Sequence, residues 1–181
     1  MMRFAALFAA LLVSCTTAGA QSAQPYGGLQ NRPIKALSEQ QQAELRGGRG
    51  AGMALAAELN GYPGPLHVLE LAGPMQLTPD QRQKVQALFD AMKSEASAKG
   101  EILIAREAEL DRMFVNRSVT EPRLIAATKA IGDVQADLRA THLKYHLSTL
   151  ALLSRDQVQK YTELRGYGDR SAPHGHQHQK H

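Results

Sequence analysis

Apolar residues after Thr78 recur at helical spacing. Val85, Phe89, Met92, Ala96, Leu103, Leu110 and Met113/Phe114 lie three, four or seven apart, with Ile102 beside the stripe. The run to Val115 is about 36 residues, roughly 54 Å of helix at 1.5 Å per residue, and Gly100 is its only weak point. A second stripe of Leu124, Ile131, Val134, Leu138, His142, Tyr145 and Thr149 follows Thr120, which reads as a helix cap, and reaches Leu152. The turn between them, at residues 116–122, is short, so the two long helices are expected to pack antiparallel. Ser154 opens a last helix that stops at Gly166, a good residue to follow a helix end. An earlier helical pair, at about residues 39–59 and 66–75, is expected to lie across the hairpin. Breaks also fall at Gly47-Gly48, residues 60–65 and Gly73-Pro74.

Three places share one spelling: Leu37-Ser38-Glu39-Gln40-Gln41, Leu77-Thr78-Pro79-Asp80-Gln81 and Leu153-Ser154-Arg155-Asp156-Gln157. Each is a capping box behind an apolar residue. The Ser or Thr hydroxyl accepts from the backbone N–H three residues on, and the Gln side chain returns to the cap's own N–H. Pro79 at the first helical position and Asp80 at the second also suit a helix start.

Composition narrows the fold. Of 181 residues, 27 are Ala and none is Trp, and Phe4 and Phe8, two of the four Phe, lie near the start. A core of small aliphatic side chains favours close helix contacts over a sandwich or barrel. The fold class is therefore all-α: a long antiparallel helical hairpin with flanking shorter helices, four to five in all. A thin hairpin buries little surface alone, which predicts a homodimer. The net charge of +4 is mild and the charges are interspersed, so no nucleic-acid partner is expected. No P-loop, dinucleotide fingerprint, nucleophile elbow or zincin motif appears, and no catalytic residue is expected.

The N-terminus reads as an address. Arg3, an apolar run over residues 4–13 and the small residues Ala18-Gly19-Ala20 make residues 1–20 a secretory signal peptide, whose apolar run of about ten residues is too short to span a bilayer. The expected location is the periplasm. Leu12-Val13-Ser14-Cys15 resembles a lipobox, so the alternative is a periplasm-facing lipoprotein anchored through Cys15, the one cysteine of the chain. Disulfides and Cys-based zinc sites are excluded. Residues 21–32 read as a flexible lead-in, 33–166 as the helical domain and 167–181 as a His-rich tail without aliphatic packing.

A secreted all-helical chain with Leu77-Thr78-x-x-Gln81 before a long hairpin and Leu153-Ser154-x-x-Gln157 after it resembles the Spy/CpxP superfamily of bacterial periplasmic proteins. The likeness covers residues 38–167. The segments Glu58-Leu59-Asn60-Gly61-Tyr62-Pro63-Gly64-Pro65-Leu66-His67-Val68-Leu69-Glu70-Leu71 and Leu164-Arg165-Gly166-Tyr167 are similar to the branch described as heavy-metal resistance or periplasmic heavy-metal sensor proteins. The resemblance implies one of two roles. Spy- and CpxP-like members are ATP-independent chaperones or envelope-stress regulators that act through the concave face of a helical dimer. ZraP- and CnrX-like members bind zinc, nickel or cobalt, some to report metal to a signalling system.

His142 and His146 lie four apart on a helix, which puts both imidazoles on one side and suits a shared zinc, nickel or cobalt ion. The alternative is a core or interface histidine with one hydrogen bond beside a surface one. His67 follows the Pro63-Gly64-Pro65 turn with Glu70 three residues on, and the two would complete a four-ligand set. The alternative for His67 is a packing residue at a helix start. In CnrX-like sensors the ligands are a His pair before the first motif, a Glu in the next helix and a His before the last motif. His67 occupies a comparable place, but Leu71 stands where the second His would be. Asp90 is the nearest acidic residue to the expected Glu, and His146 is about one residue out of register. The tail residues His174, His176, His178 and His181 form a weak, unstructured chelator. Met92 and Met113 read as core. Arg46 and Arg49, beside Gly47-Gly48, read as a solvated hinge with an anion site as the alternative.

The expected function is a heavy-metal-binding stress or resistance protein. The alternative is a chaperone or envelope-stress regulator that works without metal, shielding unfolded clients on an apolar face. A third reading is a partner that docks on a membrane-bound sensor or anti-sigma factor.

Overall fold

The computed structural model describes residues 26–168. The expected signal peptide with Cys15, and the tail histidines His174, His176, His178 and His181, lie outside them. The described residues hold six α-helices and no strand: α1 (Glu39–Arg46), α2 (Leu55–Glu58), α3 (Pro65–Glu70), α4 (Pro79–Val115), α5 (Glu121–Leu150) and α6 (Arg155–Leu164). A 3-10 turn at Leu29–Asn31 precedes them. None of the helices is long and apolar enough to cross a membrane.

The expected hairpin is present. α4, 37 residues long, runs antiparallel to the 30-residue α5. Their shared seam is the predicted stripe, with Val85, Met92, Ala96, Leu103 and Met113 buried on α4 and Ile131, Leu138, His142, Tyr145 and Thr149 buried on α5. Polar bonds cross the seam as well. Lys99 Nζ donates to Thr141 Oγ1 (2.6 Å), and Glu95 accepts from Lys144 Nζ (2.6 Å) and the Tyr145 hydroxyl (2.7 Å).

All three predicted capping boxes form, at Ser38, Thr78 and Ser154. Thr120 also precedes a helix, but its hydroxyl makes no cap bond. Each box contributes about 1 kcal/mol to its helix.

The expected helix over residues 39–59 breaks into α1 and α2. α1 ends where it crosses α4, and the crossing is too close for side chains. A Cβ on Gly48, whose φ is +64°, would sit 2.5 Å from the Lys93 carbonyl oxygen. A Cβ on Gly100 would sit 2.3 Å from that of Leu45. Gly100 is thus no weak point of α4: it is where α1 docks, and Ser97 Oγ donates to the Arg46 carbonyl beside it (2.6 Å). This split is also why there are six helices and not four or five. The expected helix over 66–75 is shorter as well. α3 starts at Pro65, stops at Glu70, and passes through turns to Gln76 at φ +54° before Leu77 enters the second box.

Two apolar cores flank the middle of the hairpin. One gathers Ile34, Leu45, Ala96, Leu103, Ile104, Ile131 and Leu138, with Leu37 against it. The other gathers Val68, Met75, Val85 and Tyr161, with Leu77, Leu153 and Tyr167 against it. Tyr167 therefore belongs to the packed domain and not to the tail. Between Val85 and Ala96 on α4, and between Leu138 and Leu152 on α5, lie buried residues that belong to neither core, among them Met92, His142 and His146.

Candidate functional site

Two polar constructions stand out, one at the base of the hairpin and one between the cores. At the base, the second and third capping boxes are joined. Gln81 Nε2 donates to Gln157 Oε1 (2.9 Å), and Gln157 Nε2 donates back to Gln81 Oε1 (3.0 Å). Each Oε1 also accepts from its own cap, Thr78 N or Ser154 N (both 3.0 Å). The remaining amide protons go to the carbonyls of Leu152 (2.9 Å) and Met75 (3.5 Å). Every donor and acceptor of the two amides is used, so this part of the repeated spelling is a structural lock.

Between the cores a cavity of about 220 Å³ is lined by Leu55, Glu58, His67, Met92, His142 and His146, with Gly50 and Gly64 closing against the rings. It collects three of the four predicted ligands from two helices. His142 and His146 project from one side of α5, as their spacing requires, and both are buried, at 3% and 6% exposure. The alternative of one buried and one surface histidine does not hold.

The two rings are held differently. His146 Nδ1 donates to the Tyr62 carbonyl (2.6 Å), which leaves Nε2 of the neutral ring with its lone pair. That edge lies against Gly64, where a Cβ would come within 2.9 Å of Nε2. His142 makes no such bond: its Nε2 is buried without a partner. Burial, and then the neighbouring His146, pull its pKa below the ordinary imidazole value, so the ring stays neutral at neutral pH.

His67 and Glu70 face the same way, as predicted, but towards each other. His67 Nδ1 donates to Glu70 Oε2 (2.9 Å), and the Glu70 side chain is 55% exposed. Glu70 is not on the cavity wall; it orients His67 and leaves its Nε2 free. Asp90 is exposed and accepts from Gln86 (2.9 Å), also off the wall. Arg46 pairs with Glu101 (3.2 Å), and Arg49 is exposed.

The carboxylate that does line the cavity is one the sequence reading passed over. Glu58 is 6% exposed. Its Oε1 accepts from the hydroxyls of Tyr161 and Tyr167, the latter at 3.2 Å, and pairs with Arg165 Nε at 3.4 Å. Burial and the bond to Glu58 push the Tyr161 phenol well above its ordinary pKa. Tyr167 reaches back because α6 ends in a Schellman turn. Gly166, at φ +70°, donates to the Glu163 carbonyl (3.0 Å) and Tyr167 N to that of Thr162 (2.9 Å). The other oxygen of Glu58, Oε2, has no hydrogen-bond partner and lies 3.8 Å from His146 Nδ1. The one trace it leaves in the sequence is a lone Glu among Ala and Leu at residues 54–59.

The two buried, unpartnered side-chain atoms among the described residues are thus an imidazole nitrogen and a carboxylate oxygen, both on residues of this wall. That donor set fits a first-row divalent cation. Among the described residues, no three His, Cys, Asp or Glu side chains already converge on one point. A cation here would need water beside the protein ligands, or a rotation of these side chains.

No family model, curated protein or solved structure matches this chain.

Proposed function

We propose that this chain is a heavy-metal-binding stress or resistance protein of the periplasm, of the Spy/CpxP type, that takes zinc, nickel or cobalt into the cavity between its cores. The observation that carries the reading is the gathering of His67, His142 and His146 from two helices onto one wall, with His142 Nε2 buried and unbonded. A buried polar atom without a partner costs about 1–3 kcal/mol, which a coordinated ion would recover. The bonds at the far nitrogens support the same reading: a carbonyl on His146 and a carboxylate on His67 fix ring orientation as outer partners of metal-bound histidines do. On this reading the partners are a second copy of the chain and a membrane-bound sensor or anti-sigma factor.

Calorimetric titration of Zn²⁺ and Ni²⁺ tests it, using the chain with His174, His176, His178 and His181 changed to Asn so that the tail adds no signal. Saturable binding is expected, weakened about a hundredfold or more by His142→Gln/His146→Gln. Unchanged binding in that variant would sink the reading.

A second reading, a chaperone acting without metal, is favoured by the apolar end of the hairpin. Phe114, Val115 and Ile125 are 54%, 62% and 60% exposed around the turn. It predicts that metal-free protein suppresses aggregation of a chemically unfolded client, and that Phe114→Ser/Ile125→Ser abolishes this.

A further inference from the structure

We infer that Glu58, and not Glu70, is the carboxylate that a divalent cation meets in this cavity, and that it makes the C-terminal helix respond to the cation through Tyr161, Arg165 and Tyr167. The inference rests on the metal-binding reading and names the anionic side of that site.

The argument starts from the two oxygens of Glu58. A carboxylate buried to this degree must be compensated, and Oε1 is: two tyrosine hydroxyls and a guanidinium meet it. Oε2 receives nothing, although it belongs to a side chain on the cavity wall. One oxygen saturated from the far side and the other bare is the arrangement of a carboxylate ligand anchored from behind. Glu70 differs in place and burial: it is half exposed, does not line the cavity, and turns one oxygen to His67 on the same short helix.

The coupling follows from charge. Arg165 is the cation that now sits on Glu58, its guanidinium also 5.5 Å from the Tyr167 ring. A divalent ion on Oε2 places a second positive charge on the same carboxylate and withdraws electron density from Oε1. Tyr161 and Tyr167 then donate to a weaker acceptor, and Arg165 is repelled. All three belong to α6 and its terminal turn, whose remaining hold on the domain is apolar packing and the Gln157 lock. Metal uptake at α5 is thereby reported at the C-terminal helix.

The chain has five tyrosines and no tryptophan, so its near-ultraviolet absorption reads tyrosine directly. The test titrates Zn²⁺ alone into the chain carrying the four tail His→Asn changes, by calorimetry and by ultraviolet difference spectroscopy. Glu58→Gln is expected to weaken binding about tenfold or more. Glu70→Gln should lose less, since an amide oxygen still accepts from His67. A tyrosine difference band should grow with the same saturation, persist in Tyr62→Phe and disappear in Tyr161→Phe/Tyr167→Phe. If the parent binds no Zn²⁺, the metal reading fails and this inference with it. If binding needs His142 and His146 but is unchanged in Glu58→Gln, this inference alone fails. If Glu58→Gln does not fold, the spectra of the parent decide: Zn²⁺ binding with no tyrosine band overturns the inference.

Discussion

The base of the hairpin and the cavity above it are built from similar materials, buried or half-buried polar side chains on helices, and are finished in opposite ways. At the base, Gln81 and Gln157 satisfy each other, their own caps and two carbonyls, with no atom left over. In the cavity, His142 Nε2 and Glu58 Oε2 are buried and bonded to nothing. A fully satisfied network rigidifies; a partly satisfied one costs stability and keeps donor atoms available. The difference separates a joint from a candidate site.

The sharpest way to break the comparison is at the joint. Gln81→Leu removes a capping bond and leaves the Gln157 amide half-bonded, so urea unfolding should show a loss of about 2–3 kcal/mol. Gln81→Leu/Gln157→Leu should cost less than the sum of the single changes, because the pair acts as a unit.

Gly64→Ala intrudes on the cavity wall. A Cβ there comes within 2.8 Å of the His146 ring, so the ring or the Tyr62–Pro65 backbone must move. The expected loss is about 1–2 kcal/mol in thermal unfolding, together with weaker Zn²⁺ binding.

His142→Leu should go the other way. Replacing an unpartnered buried imidazole with an apolar side chain is expected to leave stability unchanged or raise it by about 1 kcal/mol. A loss comparable to that at Gln81 would show that His142 is structurally satisfied, and the contrast between joint and site would collapse.

The smallest effect is expected at Glu95, outside both regions. The hydrogen bond from Lys144, then that from Tyr145, holds its carboxyl below the ordinary value of 4.5. A carboxylate with a depressed folded pKa contributes stability above its unfolded pKa and loses it as pH falls through the folded one. Tyr145 shows the opposite sign. Burial, then its bond to Glu95, pushes its phenol up to about 12, so its contribution is lost as pH rises through that value. Glu95→Gln should flatten the fall in thermal stability below pH 4.5 by about 0.5 kcal/mol, a modest figure because the side chain is 40% exposed.

The two regions also differ in how far they could be read from the chain. Ser38, Thr78 and Ser154 were legible as caps because a capping box is completed within three residues. The stripes of α4 and α5 were legible because helical periodicity places them on one seam. His142 and His146 shared a side for the same reason. Glu58 was not legible in this way: its partners Tyr161 and Tyr167 lie 103 and 109 residues away. Gly100 was misread because helix propensity counts a glycine as a cost, whereas the approach of Leu45 makes the missing Cβ a requirement. At Glu70 the spacing was legible but not its consequence, because the spacing that makes two ligands face one metal also lets them bond to each other.

By itself the sequence determined the all-α hairpin, its three capped helix starts and the common side of the α5 histidines, since each depends on interactions between residues a few positions apart. The tertiary structure decided how those parts meet. Packing distant segments against one another joined Gln81 to Gln157, closed α1 onto Gly100, and brought Glu58 from α2 between the α5 histidines and the end of α6. Burial then withdrew water from that carboxylate and from His142, and only there does an unpaired atom acquire a chemical meaning.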